Sequence, residues 1–487
     1  MSGLIKERMQ NHNNAPNHRQ RLFLEGPIGV ALLKLAAPII LGNVLQTGYQ
    51  LTDAFWVGRL GAAAVAAVAI SFPVTFLVIV AGAGLAIAGA TLSAQYMGAG
   101  RQDMVNHIAA QTMMVVAVTS VILGAVGYLF SPYLLGLLGV APDVYKGALG
   151  FMRVSFVGII FVFLYGMFQA LMRGVGQTKI PLLIVLGTVV LNFLLDPIFI
   201  FGLWPFPPQG VMGAALATLT TQGLAALLGI VIFLRGRHGI QLSWRAFRPD
   251  LPYIKRAFFL GIPGSIELSA RGLGPVAMSF LAASFGTLTV AAYGIGSNIL
   301  LFATIPAMGL SMAVSTLVGQ NMGAGNIQRA ARVTVFGALS GFVILTLVGI
   351  GTYVFAAVLV AFFIPHDPEV ILEGTRFIRI MCLTWGGIGV QLCIVSAFRA
   401  SGNMLNAMMI ALASQLMFQF PLAYVLSKHT ELQAAGLWWV FPITNITFAM
   451  VSVWWFAQGG WKKMRLTEDG RQVVKVTEET IAEEGIR

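Results

Sequence analysis

Two aspartates lie inside long apolar segments, where a carboxylate has no water to solvate it. Asp53 lies near the end of the first segment, and Asp196 lies in the fifth, four residues after Asn192 and directly before Pro197. Asn192 and Asp196 therefore project from one helix face, and Pro197 frees a backbone carbonyl nearby. Because ionisable residues are costly within a membrane, these groups predict a proton or cation site. The alternative is that Asp196 only caps a local break or holds two helices together.

A third acid, Glu267, is followed four residues later by Arg271 in the seventh apolar segment. This spacing and order favour an ion pair within one helix, with Glu N-terminal to Arg. At the matching position of the first half, Gly42 stands in place of Glu267. We predict a structural ion pair, with a gating role as the alternative.

A polar stripe runs along the first apolar segment, where Asn43, Gln46 and Gln50 follow a spacing of three to four residues that Asp53 extends. Lipid offers these side chains no hydrogen-bond partners, so the stripe must face protein or water. It therefore predicts one wall of a substrate cleft. Met278, which matches Asp53 in the second half, and Gln391 in the tenth segment are the other candidates for the cleft.

The motifs of other chemistries are missing from the sequence. It contains no GxxxxGK[ST] phosphate loop and no HExxH, and its two cysteines, Cys382 and Cys393, fall in one apolar segment. Neither ATP hydrolysis nor a metal site is indicated. We expect no catalytic residue, no metal and no cofactor apart from H⁺ or Na⁺ as a coupling ion, so the protein is not expected to be an enzyme.

The elements that must position these residues are membrane helices. Of 487 residues, 57% are hydrophobic and only 10% are charged, with mean hydropathy +0.83. Soluble domains carry about 25% charged residues, so the solvent of this chain is a bilayer. Apolar segments of about 20 residues, the length that spans a bilayer, occur near 30–57, 62–90, 108–130, 148–172, 180–203, 211–234, 256–283, 288–317, 333–363, 376–398, 403–426 and 434–458.

The chain repeats itself at a constant offset of 225 residues. The matched pairs are Pro38 and Pro263, Gln95 and Gln320, and Gly98 and Gly323. Two six-helix halves with a site between them are a recurrent design for alternating access. We predict an all-α integral membrane fold of twelve helices in two pseudo-symmetric bundles, formed by 30–234 and 256–458.

The basic residues indicate how the chain is oriented. The net charge is +12, and Lys and Arg concentrate in the tail 1–29, the loop 235–255, the tail 459–487 and the even-numbered connections. By the positive-inside rule these regions are cytoplasmic. The positive charge is therefore explained by membrane topology, and nucleic acid is not an expected partner.

Several segments together resemble the multidrug and toxic compound extrusion (MATE) family. They are GPIGVALLKLAAPIILGNVLQTGYQLTDAFWVGRLGAAAVAAV, AQYMGAG, RGVGQTKIP and LNFLLDPIFIFG. The resemblance covers about residues 26–460 and implies a V-shaped pair of bundles. It also implies export of amphipathic, mostly cationic small molecules by antiport with H⁺ or Na⁺, and hence multidrug and antibiotic resistance.

Within that family the chain looks like the prokaryotic, DinF-like branch, whose coupling residues are in the N-terminal lobe. They fall on Asp53, Asn192, Asp196 and, in the sixth segment, Thr218. The sodium-coupled branch has an Asp in its tenth span, whereas 376–398 contains no acid here. The resemblance implies a monomer in the bacterial inner membrane, in contact with the lipid bilayer. The alternatives are a flippase for lipid-linked substrates and an integral membrane transferase.

The first prediction concerns topology. A cysteine introduced at Gln241, in the central loop, should resist a membrane-impermeant thiol reagent added outside intact cells, because that loop is cytoplasmic. A cysteine at Glu431, on the opposite side, should react. The reverse labelling pattern would refute the orientation.

Overall fold

The structure is a computed structural model that describes residues 18–203, 206–464 and 466–467. Most of the predicted tails, 1–29 and 459–487, therefore lies outside the described residues. Helices make up nearly all of the described chain, and no strand occurs in it. The prediction of an all-helical membrane fold is confirmed.

The first half contains a short helix and six long ones. The helices are α1 His18–Leu24, α2 Ile28–Gly58, α3 Ala62–Gly98, α4 Gln102–Leu137, α5 Pro142–Gly174, α6 Lys179–Phe201 and α7 Val211–Arg235. Helices α2–α7 form the N-lobe. The end of the molecule at which α7 ends and α8 begins is called the linker end, and the opposite end is the far end.

The second half repeats this order with two interruptions. Its helices are α8 Leu251–Ala283, α9 Thr287–Gly323, α10 Ile327–Phe363, α11 Pro368–Cys382, α12 Trp385–Ser401, α13 Met404–Leu412, α14 Phe420–Lys428 and α15 Ala434–Ala457. A break bends α11 against α12 by 50°, and a π-helical turn at Ala413–Gln419 joins α13 to α14. Helices α8–α15 form the C-lobe.

In the described chain, ten spans are long and apolar enough to cross a membrane, and the bent pair α11–α12 makes an eleventh. The remaining span is α8, which has 33 residues and corresponds to α2 in the repeat. Its charged residues, Lys255, Arg256, Glu267 and Arg271, lower its hydropathy. Two bundles of six membrane segments are therefore confirmed. One of the twelve segments, α8, contains four charged residues.

The first helix of each lobe packs partly against the other lobe. Near the linker end, Leu32 and Leu35 of α2 are buried in one cluster with Leu310 and Val314 of α9. In the same way, the linker half of α8 packs on α3, where the carbonyl of Ala81 accepts a hydrogen bond of 2.8 Å from the Ser265 hydroxyl. Movement of either first helix therefore changes the contact between the lobes.

Two matched hydrogen bonds join the lobes at the linker end. The Gln95 amide of α3 donates to the carbonyl of Ala400 in α12 at 2.7 Å. The Gln320 amide of α9 donates to the carbonyl of Gly174 in α5 at 2.9 Å. Helix C-termini leave carbonyls unpaired, and here the opposite lobe supplies the donors. Together these two bonds form the linker latch, which holds this end of the molecule closed.

The close approach of the lobes at the latch requires glycine. A Cβ on Gly98 would collide with the backbone carbonyl of Gln320, and a Cβ on Gly323 would collide with that of Gln95. Both contacts are with backbone atoms, which cannot rotate away. The repeated MGAG sequence therefore places small residues where helices of opposite lobes touch.

We predict that Gly98→Ala opens the linker end, because its Cβ cannot coexist with the closed latch. Spin labels at Asp103 and Gln328, exposed positions at the linker ends of α4 and α10, should move to longer distances in dipolar spectroscopy. The control is Gly187→Ala, since a Cβ at Gly187 meets nothing within 4 Å. An unchanged distance distribution in Gly98→Ala would contradict the account of the latch.

Candidate functional site

The predicted carboxylates of the N-lobe meet at one amide. The Nδ2 group of Asn192 donates to Asp53 Oδ1 at 2.9 Å and to Asp196 Oδ1 at 2.8 Å. Helix α6 contributes Asn192 and Asp196 from one face, and α2 contributes Asp53. Asn192 and Asp196 are fully buried, whereas Asp53 is partly exposed. The amide therefore bridges two acids from neighbouring helices.

Helix α7 closes the third side of this carboxylate site. The Thr218 hydroxyl lies 3.5 Å from Asp53 Oδ2, at the limit of a hydrogen bond. One turn further along α7, the Thr221 hydroxyl lies 2.8 Å from the Tyr49 hydroxyl of α2. The four residues predicted from the sequence are thus brought together, and Tyr49 and Thr221 join them. The spacing alone could have shown this, because Tyr49 precedes Asp53 by four residues and Thr221 follows Thr218 by three.

Two polar atoms at the centre of the site have no partner. Asp196 Oδ2 and Asn192 Oδ1 are buried and accept no hydrogen bond. A buried carboxylate oxygen without a donor is costly. A proton on the carboxyl group would remove the charge of Asp196. The arrangement is therefore suited to binding one positive charge at a time.

A second site is the central cavity between the lobes, with a volume of about 400 Å³. It is lined by Asn43, Ile79, Gly82, Ala83, Ala86, Ile87, Ala90, Val116, Val162, Phe163, Gly166, Gln169, Arg173, Leu268, Arg271, Met308, Ser311, Met312, Ser315, Thr316, Leu392, Ser396 and Arg399. A side cavity of about 70 Å³ between α2, α5 and α6 shares Asn43, Gln169 and Arg173 with it.

Only part of the predicted substrate cleft lines these cavities. Asn43 lines both and Gln46 lines the smaller one, whereas Gln50 is an exposed residue of α2. Met278 is packed in an apolar cluster of the C-lobe, and Gln391 is buried in α12; neither lines the central cavity. Asn43 and Gln46 are therefore the predicted cleft residues that the structure brings to a cavity wall.

The predicted ion pair of α8 is present, but it includes a second arginine. Arg271 Nε donates to Glu267 Oε1 at 3.2 Å. Arg399, at the linker end of α12, donates from Nε to Glu267 Oε2 at 2.9 Å and from Nη2 to Oε1. Glu267 is almost fully buried and holds two guanidinium groups. The sequence does not indicate this contact, because Arg399 lies next to one of the even-numbered connections, whose basic residues are explained by membrane topology.

The comparisons with known proteins agree with one another. The family model MatE matches residues 38–198 and 266–425, one stretch in each half. The probable multidrug resistance protein YoeA of Bacillus subtilis is 29% identical, covering 88% of this chain and 93% of its own. The probable multidrug resistance protein NorM of Thermotoga maritima is 28% identical, with coverages of 89% and 93%. An FAD transporter of Shewanella oneidensis is 26% identical, with coverages of 90% and 96%.

Solved structures share the fold. An outward-facing multidrug resistance MATE family transporter of the MOP superfamily matches with a TM-score of 0.84 at 22% identity, covering 93% of this chain and 100% of its own. A MOP superfamily transporter from Pyrococcus furiosus, whose binding pocket is described as reversed in polarity, gives the same TM-score, identity and coverages.

We predict that Glu267→Gln destabilises the protein by about 3–5 kcal/mol, because it leaves two guanidinium groups without their carboxylate. The unfolding temperature in detergent should fall well below that of Glu369→Gln, a matched change at an exposed acid. A charge exchange, Glu267→Arg with Arg271→Glu, should not restore stability, since it sets an arginine against Arg399. Equal stability of Glu267→Gln and the control would refute the role of this cluster.

Proposed function

The chain belongs to the MatE family of membrane transporters, and from this premise we propose that it is a secondary active exporter of amphipathic small molecules, driven by protons at the carboxylate site. Its named relatives are transporters, and the chain is a transporter rather than an enzyme. The observation that carries the proposal is the Asn192 amide bridging Asp53 and Asp196. Ion coupling needs a buried group that can hold a charge and an exposed group through which protons reach it, and this site contains both.

The carboxyl group that protons reach from water and the carboxyl group that is buried belong to different residues. Asp53 is partly exposed and can exchange protons with water, whereas Asp196 is sealed in the protein with Oδ2 unpaired. Two carboxylates that share one dry site cannot both remain ionised cheaply. We therefore assign one proton to the pair, entering at Asp53 and shared between the two acids.

The orientation of the Asn192 amide favours H⁺ over Na⁺. Its N–H groups point to both carboxyl groups. Hard cations need several oxygen ligands, and the amide N–H groups already occupy one oxygen of each carboxyl group, which leaves few free oxygens for a bound Na⁺. Membership of the DinF-like branch stays a prediction, and the assignment of H⁺ as the coupling ion agrees with it.

Helix α2 connects the site to the rest of the transport path. The helix carries Asp53 near its far end, Asn43 on the wall of the central cavity, and Leu32 and Leu35 in the contact with α9. Pro38 lies between the cavity and that contact and removes one helical hydrogen bond, which gives α2 a place to bend. Protonation removes a charge shared by Asp53 of α2 and Asp196 of α6, and α2 then repacks against α6 and α7. We assign this movement to the exchange between access states.

The substrate is a small molecule that fits the central cavity. The relatives named as multidrug resistance proteins support a broad range of amphipathic compounds, and the relative named as an FAD transporter supports a second candidate, export of phosphate-bearing compounds. Three arginines line the cavity, and they oppose the mostly cationic substrates that the family resemblance implies. A flippase for lipid-linked substrates would also have to bind phosphate groups, so this alternative belongs with the second candidate.

We place the protein in a bacterial cytoplasmic membrane, as a monomer with both termini in the cytoplasm. It is a multi-pass membrane protein, as its helices and relatives show. The orientation rests on the distribution of Lys and Arg in the sequence.

We predict that Asp53→Asn and Asp196→Asn each reduce proton-driven efflux to the level of protein-free liposomes, because an amide cannot release a proton. The measurement is dye transport in proteoliposomes under separately imposed pH and sodium gradients, with carboxyfluorescein and rhodamine 123 as the probes. Wild-type protein should respond to the pH gradient.

The control is Asp143→Asn, at an exposed acid in the first turn of α5, which should transport like the wild type. Normal pH-driven efflux by either site variant would remove that residue from the coupling site. Efflux by wild-type protein that follows the sodium gradient alone would refute proton coupling.

A further inference from the structure

The central cavity carries an excess of positive charge. Its charged lining consists of Arg173 from the N-lobe and Arg271 and Arg399 from the C-lobe, with no acidic residue in the wall. Glu267 lies behind the wall, almost fully buried, and neutralises one of these three charges. Two positive charges therefore face a space enclosed by apolar helices.

Arg173 has no carboxylate partner in the part of the chain that the structure describes. Among the described residues it forms no ion pair, although it lines both the central and the side cavity. An arginine charge that faces an apolar cavity is costly unless something of opposite charge meets it. A ligand in the cavity can supply that opposite charge.

Arg271 also has unused capacity. Its Nε is bonded to Glu267, but its Nη2 is buried without a hydrogen-bond partner. A guanidinium carries five N–H donors in a planar fork that matches the two oxygens of a carboxylate or phosphate. Glu267 holds Arg271 and Arg399 on one wall of the cavity, so the guanidinium group of Arg271 is already oriented before a ligand binds.

Arg173 and Arg399 occupy corresponding positions in the two lobes, and both line the central cavity. Each lies in the last turn of its helix, and its carbonyl accepts a threonine hydroxyl from the other lobe. The Thr316 hydroxyl donates to Arg173 at 3.3 Å, and the Thr91 hydroxyl donates to Arg399 at 3.4 Å. An arginine in the last turn is also favoured by the helix dipole, but that effect does not require it to line a cavity. The two lobes therefore present basic groups from opposite walls near the linker latch.

The remainder of the cavity is apolar and adaptable. Phe163 and Ile79 of the N-lobe and Met308 and Met312 of the C-lobe line it. Methionine fills irregular gaps and tolerates ligands of different shape. A volume of about 400 Å³ lies within the range of sites that hold small organic ligands.

We propose that the central cavity binds amphipathic organic anions, with a carboxylate or phosphate group held between Arg173 on one wall and Arg271 with Arg399 on the other. The apolar body of the ligand lies against the methionine and phenylalanine side chains. This assignment names the substrate class of the exporter proposed above and rests on that proposal for the direction of transport. Binding itself does not depend on it.

The test measures equilibrium binding without any ion gradient, so that a failure of coupling cannot affect it. Protein in nanodiscs of zwitterionic lipid is titrated against carboxyfluorescein and rhodamine 123, which share a xanthene ring system and differ in charge. Fluorescence anisotropy should show saturable binding of carboxyfluorescein at an affinity at least about tenfold above that of rhodamine 123, the difference that one well-placed charged hydrogen bond produces.

The variant that tests the site is Arg173→Gln, because Arg173 has no ion pair to break. It should lower the affinity for carboxyfluorescein about tenfold, and Arg173→Lys should retain most of the affinity because the charge remains. The matched control is Arg235→Gln, in the last turn of α7, where the arginine is exposed and lies outside the cavity wall. Its affinity should equal that of the wild type.

Two further arms identify the source of the natural anion. Loss of dye binding in nanodiscs that contain phosphatidylglycerol indicates an anionic lipid headgroup, and displacement of the dye by 2-naphthyl phosphate indicates a soluble organic anion. Preference for rhodamine 123, absence of saturable anion binding, or equal affinity of Arg173→Gln and wild type would each overturn the proposal. Any of these results would leave proton coupling at Asp53 and Asp196 intact.

Discussion

The lipid around this molecule offers no partner to a polar group, so its polar groups depend on the protein, on water or on a ligand for their hydrogen bonds. This constraint explains why the lobes meet where they do. Helices α5 and α12 end inside the contact between the lobes, and their last carbonyls would remain unpaired. The amides of Gln320 and Gln95 fill those positions from the opposite lobe. Each such bond contributes about 1 kcal/mol net, so the latch closes the linker end and can still open.

The two lobes share a scaffold and divide the charges between them. Asp53 of the N-lobe corresponds to Met278 of the C-lobe at the offset of 225 residues. Asp53 is held by the Asn192 amide, whereas Met278 is packed among apolar side chains. In the other direction, Glu267 and Arg271 correspond to Gly42 and Gln46. Equivalent positions therefore hold a carboxylate in one lobe and either apolar packing or a fixed guanidinium pair in the other. In the proposed mechanism, this asymmetry lets a proton change the charge of the N-lobe while the charge of the cavity arginines stays the same.

The sequence predicts the parts of this structure that depend on hydropathy and on rare residues. Segments of about 20 apolar residues have few alternatives to a membrane helix, and an acid inside one has few roles, so the twelve spans and the grouping of Asp53, Asn192 and Asp196 could be predicted. The residues of the cavity wall could not be predicted. Most faces of a membrane helix are apolar, so its sequence does not show which face meets lipid, protein or a cavity. For this reason Met278 and Gln391 were predicted to line the cleft but do not line the central cavity. Arg173 and Arg399 were hidden by their position, because arginines near helix ends are expected in cytoplasmic loops.

In the proposed exchange of a proton for an organic anion, the charges of the two ions determine which gradient drives transport. If the linker end is cytoplasmic, a proton that enters through Asp53 carries one positive charge inward, and a monovalent anion released from the arginines carries one negative charge outward. Both movements are then driven by a membrane potential that is negative inside. One charge crossing the membrane yields about 2.3 kcal/mol per 100 mV, and the two movements together yield about 4.6 kcal/mol per 100 mV. Exchange of a proton for a monovalent cation would gain nothing from the potential. In the proposed mechanism, a basic cavity in the same chain as an acidic coupling site therefore allows a cell to export anions at the expense of its membrane potential, even where the pH gradient is small.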